Sequence, residues 1–547
     1  MDSSDSAAAM KDGLAELESL IHQQLDTAED RLLYSNDRPS GSSAIYAAVV
    51  AGARETEDTL HRIMLRMRRR VNLLAPVNRL PQEILCRLFS EGPSNSSQQS
   101  VRISHVCSYW RELALDDPRL WTSITIINGR TLPALAVLLS RAKQQPVDLR
   151  LYLVDIKGKE EQAGAALTCI VQHMQHMGKL SIHFNADLRK SLFRKLCDVH
   201  APVLTSLSLS CTVFSSRYPL PVNIFNGNAP KLTELELSHI SPANGIGRAF
   251  AGVRVIEMWQ SCVTVDSLRR IAAACPAVED ITLQGWEGYA SRTSETPGRL
   301  LSFEHLEQIA FIDMDPETVR AIISHLDCSN IDCIKVKCGP TSRHVPHLNL
   351  LRQLLGTLEP VTEALVEGHP IRASTTDSEP TRRSWRILAF DRNDVARELM
   401  FEDGLTPLAR NALNPDGNLL LHVRKLTVDA RCWAPFIDTV DADTPALGVL
   451  KLHIPEDTTD AALWHLNAVL KPVTSAKQPL RCPGLRRLVL KARRRVEVSA
   501  ESVLQVLDQA IQIQAPKLKE LRLKNITVKA GMGLEILRAR VDDLSMV

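Results

Sequence analysis

The chain has 547 residues and a mass of 60.7 kDa, several times the size of one ordinary domain, so more than one structural unit is expected. Its 65 basic and 63 acidic side chains nearly cancel and 44% of residues are hydrophobic, a balance that suits a soluble globular protein and speaks against a polyanion as global partner. Residues 1–11 are small and acidic rather than basic and then apolar, and the longest apolar stretch, 44–51, is far short of the roughly 20 residues that span a bilayer. Neither export nor membrane insertion is expected. The 12 cysteines are scattered, which favours reduced, mostly buried thiols in a cytoplasmic or nuclear protein.

Leu14, Leu17, Ile21, Leu25, Leu32 and Leu33 recur near helical spacing, so an amphipathic helix is predicted over 14–34. Residues 36–43, with Pro39, Gly41 and three serines, have the chemistry of a turn. A second helix follows over 44–74, striped by Leu60, Met64, Met67 and Val71. The pair would make a helical hairpin over 1–75. Arg66, Arg68, Arg69 and Arg70 read as a solvated helix face rather than a localisation signal.

Next come the segments "APVNRLPQEILCRLFS" and "VRISHVCSYWRELALDDPRLWTSITI", separated by a polar stretch. Pro81 suits the first turn of a helix whose stripe is Ile84, Leu85, Leu88 and Phe89, and Val106, Trp110 and Leu113 make a second stripe at i, i+4, i+7. Two stripes this short and apolar cannot bury themselves alone. The region 76–124 resembles the F-box, especially the form common in fungal proteins. Leu80-Pro81, Glu83-Ile84-Leu85 and Leu88-Phe89 correspond to the family's opening. Val106-Cys107, Trp110-Arg111, Leu113-Ala114 and Pro118-Arg119-Leu120-Trp121 correspond to its second half.

The resemblance implies that Leu80, Pro81, Ile84, Leu85, Leu88, Phe89, Val106, Cys107, Trp110 and Leu113 dock on a Skp-family adaptor. That adaptor in turn joins a cullin scaffold and a ubiquitin-conjugating enzyme. The chain departs from the family at residues 91–100, a polar stretch with Gly92 and Pro93 where many members have an apolar turn, and weaker adaptor binding could follow. The alternative is a helical cap without an adaptor, and Val77, Leu120 and Trp121 suit cap packing in either case.

Beyond residue 130 the unit apolar-x-x-apolar-x-apolar repeats. It occurs as Met177/Leu180/Ile182, Leu204/Leu207/Leu209, Leu232/Leu235/Leu237, Val253/Ile256/Met258, Val278/Ile281/Leu283, Leu306/Ile309/Phe311 and Ile331/Ile334/Val336. It returns as Trp385/Leu388/Phe390, Val423/Leu426/Val428, Leu447/Leu450/Leu452, Leu485/Leu488/Leu490 and Leu518/Leu521/Leu523. The alternating last two positions predict a strand with one buried face, and the first closes the turn leading into it.

Between strands, Asp315-Pro316 ahead of Val319, Ile322, Ile323 and Leu326 predicts a capped helix. Similar stripes are Leu268/Ile271/Ala272/Cys275, Leu463/Leu466/Leu470 and Val503/Leu504/Leu507/Ile511. Residues 262–283 resemble the cysteine-containing subclass of leucine-rich repeats. Residues 339–384 break the period and read as an irregular insertion. The expected fold is therefore α/β: an irregular leucine-rich-repeat solenoid of short parallel strands and helices over 125–547, preceded by the hairpin and the F-box-like helices.

In such repeats the residue between the last two apolar positions points away from the core. Glu236, Glu257 and Thr282 early, then Lys335, Lys451 and Arg522 late, are the candidate partner-binding residues of a face running from acidic to basic. Cys328, Cys333 and Cys338 read as turn and core thiols rather than metal ligands. His173 and His176 read as surface histidines, and Gly245 and Gly247 as a turn. No catalytic motif, cofactor or metal is expected.

The leading functional expectation is a non-enzymatic substrate receptor of a cullin-type ubiquitin ligase. It would bind an adaptor through the F-box and an unknown protein substrate through the repeats, with no membrane and no nucleic acid as partner. A repeat scaffold for protein or nucleic acid with no ligase role is the rival, and a hydrolase or transferase with an unrecognised site a weaker one.

Overall fold

The computed structural model describes residues 42–91, 97–127, 129–154, 160–212, 218–242, 246–260, 263–285, 300–338, 353–370, 383–402, 420–437, 444–454, 478–529 and 532–547, with isolated positions at 12–30, 350, 473 and 476. The chain divides into two compact units. One holds Met1–Thr125 and Ala134–Leu149; the other holds Ile126–Pro133 and Arg150–Val547. The protein is mixed α/β, helical through the region of residues 77–127 and dominated elsewhere by a long, mostly parallel sheet. Among the described residues no helix is long and apolar enough to cross a membrane.

The first unit contains α1 (Ser42–Leu74), α2 (Gln82–Ser90), α3 (Ser97–Ser104) and α4 (Ser108–Asp116), then a 3-10 turn at Pro118–Trp121 and α5 (Leu135–Arg141). None of the four stripe residues predicted for α1 is buried: Leu60 and Met67 are half-buried, and Met64 and Val71 are exposed. The predicted first arm, 14–34, and the turn at 36–43 lie mostly outside the described residues.

In the second unit the strands are β1 (Met177–Phe184), β2 (Ser206–Cys211), β3 (Glu234–Ser238), β4 (Val255–Trp259), β5 (Asp280–Gln284), β6 (Gln308–Ile312) and β7 (Cys333–Lys337), each parallel to the next. Their register explains the repeat. Leu180, Leu207, Leu235, Ile256, Ile281, Ile309 and Ile334 stand opposite one another, as do Ile182, Leu209, Leu237, Met258, Leu283, Phe311 and Val336. Both rows are buried. At roughly 1.5–3 kcal/mol for each large apolar side chain removed from water, these ladders are a main source of the fold's stability.

The connections carry the predicted helix signals. Asp315 accepts from the Thr318 backbone N–H at 3.0 Å and starts the helix Pro316–His325, which buries Val319, Ile322 and Ile323. Thr264 and Ser267 form a capping box ahead of Val265–Ala274, which buries Leu268 and Ile271, with Cys275 buried at its C-cap.

Between residues 338 and 425 the order changes. After β7 the sheet continues with β10 (Ala396–Glu402), then β9 (Arg383–Phe390), then β8 (Glu363–Pro370), and only then β11 (Lys425–Asp429). β9 is antiparallel to both its neighbours, so three strands enter the ladder in reverse order. The insertion predicted over 339–384 is thus corrected: β8 and the start of β9 belong to the sheet, while residues 339–349 and 371–382 lie outside the described residues.

The copy Trp385/Leu388/Phe390 is corrected as well, because β9 buries Trp385, Ile387 and Ala389 and turns Leu388 and Phe390 to the other face. A slip of one residue exchanges the faces of a strand.

The parallel ladder resumes through β12 (Val449–Ile454), β13 (Arg487–Val498), β14 (Leu518–Val528) and β15 (Val541–Met546). Leu426, Leu450, Leu488 and Leu521 stand in one buried row and Val428, Leu452, Leu490 and Leu523 in the next. The helix Ala500–Gln505 passes into a π-helical turn at Val506–Ala510, so Val503, Val506 and Ala510 are buried rather than the predicted Leu504 and Leu507. The helix predicted around Leu463 lies outside the described residues.

Two smaller expectations are also resolved. His176 is buried, not superficial, and shares a hydrogen bond with His173, Nδ1 to Nε2, at 2.8 Å. Gly247 lies so close to Val222 that a Cβ would meet its carbonyl oxygen at 1.6 Å, a packing reason for that glycine.

Every described cysteine is a free thiol, and burial pushes Cys275, Cys338 and Cys482 up to about 12. At pH 8 these three hold almost no thiolate. Iodoacetamide labelling of the native chain followed by peptide mass spectrometry is expected to leave them unmodified while the half-buried Cys107 reacts. Equal labelling of all four would contradict this burial.

Candidate functional site

The first unit builds its site on α2. Leu80 and Pro81 approach in extended conformation, and the Pro81 carbonyl accepts from the N–H groups of Ile84 at 3.0 Å and Leu85 at 3.1 Å, which fixes the helix start. Pro81 therefore stands at the N-cap, one residue earlier than predicted. Arg87 and Glu91 pair at 2.7 Å at the far end, but both are largely exposed and the pair adds little stability.

The single apolar stripe expected for α2 is two. Leu85, 0% exposed, and Phe89 face inward with Cys86. Leu80, Ile84 and Leu88, spaced i, i+4, i+8, are 37%, 44% and 51% exposed. Four residues advance a helix a little over one turn, so Ile84 and Leu88 lie along one face of α2 and the inward set occupies the neighbouring one, while Leu80 is exposed on the extended approach ahead of the helix.

The core behind that face is well tied. Phe89 and Trp110 pack with ring centroids 4.8 Å apart. The Trp110 indole N–H donates to Asn78 Oδ1 at 2.6 Å, and Asn78 Nδ2 donates to the Asn72 carbonyl at 2.6 Å. Cys107 caps α4, its Sγ accepting from the Trp110 N–H at 3.4 Å, and Leu113 and Ala114 are buried on that helix.

Trp121 is fully buried, donates through Nε1 to the Ala114 carbonyl at 2.6 Å, and carries the Arg141 guanidinium 4.5 Å from its ring centroid. Ser100 Oγ donates to the Leu120 carbonyl at 2.5 Å. Burial alone would raise the Asp117 carboxyl, but hydrogen bonds from the Arg119 side chain and backbone outweigh it and hold Asp117 below its usual range.

Ten residues were candidates for docking, and the structure sorts them. Leu80, Pro81, Ile84, Leu88 and Val106 are exposed, and Cys107 and Trp110 are half-buried. Leu85, Phe89 and Leu113 are interior, a correction with a simple cause: a helix this short needs one apolar face for its own core before another can serve a partner. Leu120 and Trp121 are core, whereas Val77 is exposed. Of the polar stretch 91–100, residues 92–96 lie outside the described residues, and Ser97 already begins α3, which buries Ser97, Ser100, Ile103 and Ser104.

On the sheet, Glu236, Glu257 and Thr282 stand opposite one another on β3, β4 and β5. Lys335 follows beyond Ala310, but its other neighbour is Glu398 on β10. Lys451 lies between Thr427 and Val489, and Arg522 between Val489 and Ser545. The expected run from acidic to basic is therefore interrupted by the reversed strands.

Sequence reasoning missed a charged group there. Arg386 donates from Nε to Glu398 at 2.6 Å and from Nη1 to Glu367 at 3.0 Å. The signal was the alternation of Trp385, Ile387 and Ala389, obscured by reading the stretch as the copy Trp385/Leu388/Phe390.

Residues 77–127 match the family model for the F-box-like domain. The chain carries an F-box-like domain. A search of the curated proteins finds no match to the chain. The F-box-like domain encloses α2, α3, α4 and the Pro118–Trp121 turn, so the interior Leu85, Phe89 and Leu113 and the exposed Leu80, Ile84 and Leu88 all belong to it. Chemically its face offers exposed apolar surface, the means of a protein-interaction adaptor.

Proposed function

We propose that this F-box protein is the substrate-recognition subunit of an SCF-type cullin-RING ubiquitin ligase. The single observation that carries the reading is the row Leu80, Ile84 and Leu88, large apolar side chains left in water by a domain that has already buried Leu85, Phe89 and Leu113. In this reading the row docks on a Skp-family adaptor, with Pro81 and Val106 beside it in the contact set, and the adaptor recruits the cullin scaffold.

The in-register ladders of the second unit support a leucine-rich-repeat solenoid of the kind fungal-type F-box proteins carry, holding a protein substrate on the face opposite its core. The chain itself makes and breaks no bond. It raises the local concentration of substrate beside a charged conjugating enzyme.

Reconstitution tests this. Mixed with purified Skp-family adaptor and cullin, the full chain is expected to elute with both in one size-exclusion peak, and to leave it when Leu80→Ala and Pro81→Ala are introduced together. Separate elution of the intact chain would favour a repeat scaffold with a helical cap.

A further inference from the structure

On the face of the sheet opposite the buried ladders, many cations sit with an acid. Arg386 holds Glu367 and Glu398, Lys425 pairs with Glu363, and Arg487 and Arg522 both pair with Glu520. Lys451, Lys491 and Lys524 differ, for none of them forms an ion pair among the described residues.

Their placement concentrates positive charge. His453, Lys491 and Lys524 stand directly opposite one another on β12, β13 and β14, and Lys451 precedes His453 by two residues, so it shares that face. Adjacent strands are about 4.8 Å apart. Lys451 feels the crowding: burial first, then Lys425, with Lys524 and Lys491 adding, pulls its ammonium below the usual lysine range.

Beside them the register of β13 and β14 shifts between Lys491 and Val496, and the exposed Arg493, Arg494 and Arg495 occupy the bulge. Asn525, at a φ of 57°, ties the bulge down by donating from Nδ2 to the Ala492 carbonyl at 3.0 Å.

Like charges opposite one another on paired strands destabilise a sheet. Glu363 acts against this on Lys451, and Glu367 and Asp429 on His453, but both groups still lie below their usual ranges, and a local rule broken with so little internal compensation marks a place where an external partner supplies the rest. The partner chemistry follows from what the patch lacks as well as what it has. Platforms for single-stranded nucleic acid interleave cations with aromatic rings, and β12, β13 and β14 contain no Phe, Tyr or Trp. An extended acidic peptide sets same-side carboxylates about 6.6 Å apart, within reach of long lysine side chains on neighbouring strands.

We infer that Lys451, Lys491 and Lys524, with the arginine bulge beside them, bind a carboxylate-rich segment of a partner protein. This rests on the substrate-receptor reading, for which it names the chemistry of the segment recognised.

The test is fluorescence anisotropy of a short labelled peptide of alternating Asp and Glu, titrated with the full chain without adaptor. Saturable binding that weakens with salt is expected. The triple reversal Lys451→Glu, Lys491→Glu and Lys524→Glu is expected to lower affinity about tenfold or more, while Lys335→Glu elsewhere on the face changes it less than about twofold. Circular dichroism checks that both variants fold.

Equal affinity in the triple variant, no binding by the parent chain, or tighter binding of a single-stranded RNA of equal charge would each overturn the inference. Adaptor capture is scored on the same preparations. Peptide binding lost with capture intact sinks only this surface, and capture absent with peptide binding intact sinks only the ligase reading.

Discussion

The double variant Ile84→Asp, Leu88→Asp is expected to fold like the parent chain and to lose adaptor affinity by about a hundredfold to a thousandfold. Both side chains are substantially exposed on α2, so carboxylates there stay solvated in the free protein and disturb no core. In a complex each would place a charge where an apolar anchor belongs. Each side chain is already about half covered in the free chain, so each anchor counts near the lower end of the range for full burial, about 1.5–2 kcal/mol, and losing two amounts to about 3–4 kcal/mol, which sets the range.

Leu85→Ala on the same helix supplies the contrast. It empties a fully buried position and is expected to cost about 2–5 kcal/mol of stability, seen in a chemical denaturation curve, before any effect on docking. If the aspartates left surface-plasmon-resonance affinity for the adaptor unchanged, the outward row would not be the docking face.

The second large effect is expected at Arg397. This residue lies on β10 opposite Ile334, in a row of otherwise apolar inward positions, and is 1% exposed. Its Nε donates to Thr357 Oγ1 at 2.8 Å, and its Nη1 to the carbonyls of Ile331 at 3.0 Å and Ala396 at 2.9 Å. Nη2 reaches the Cys328 carbonyl at 3.4 Å. Burial pulls the guanidinium below its ordinary range, and among the described residues no carboxylate lies within ion-pairing distance. Carbonyl dipoles and a hydroxyl hold the charge instead, and in doing so pin the reversed strands to the turn that follows the helix Pro316–His325.

Arg397→Met would leave buried acceptors at Cys328 and Ile331 without a donor, at about 1–3 kcal/mol each, for a loss of about 3 kcal/mol. In hydrogen-deuterium exchange mass spectrometry the amides of β8, β9 and β10 are expected to lose about a hundredfold of protection while β2 through β5 keep theirs. Arg397→Lys is not expected to rescue, because an ammonium on a thinner stem lacks the fork that spans four acceptors. Unchanged exchange in β10 would show that the pin is not structural.

These two sites mark the boundary of what the sequence revealed. Leu207, Leu235, Ile256 and Ile281 could be placed on one row from spacing alone, since a strand period of two and a short connecting helix leave one way to bury them together. The capped helix at Asp315-Pro316 was equally plain, because the cap and the stripe agree.

The reversed strands were not legible. Residues 363–370 hold only Ala364 and Val366 as a buried apolar alternation, and they pair antiparallel with 383–390, a direction that the parallel repeat does not announce. Which side of α2 faces inward was hidden for a different reason: Ile84, Leu85, Leu88 and Phe89 cover two adjacent faces of a short helix, and only the position of Trp110 decides which face is core. Arg397 reads as a surface charge until its strand is placed. A buried cation is a tertiary fact, fixed by where the carbonyls of Cys328 and Ile331 arrive.

The most direct measurement for the F-box reading is isothermal titration of a purified Skp-family adaptor into the full chain. Saturable one-to-one heat with a dissociation constant at or below about a micromolar is the expected result. No saturable heat, from a chain that circular dichroism shows to be folded, would contradict an adaptor-docking role for Leu80, Ile84 and Leu88.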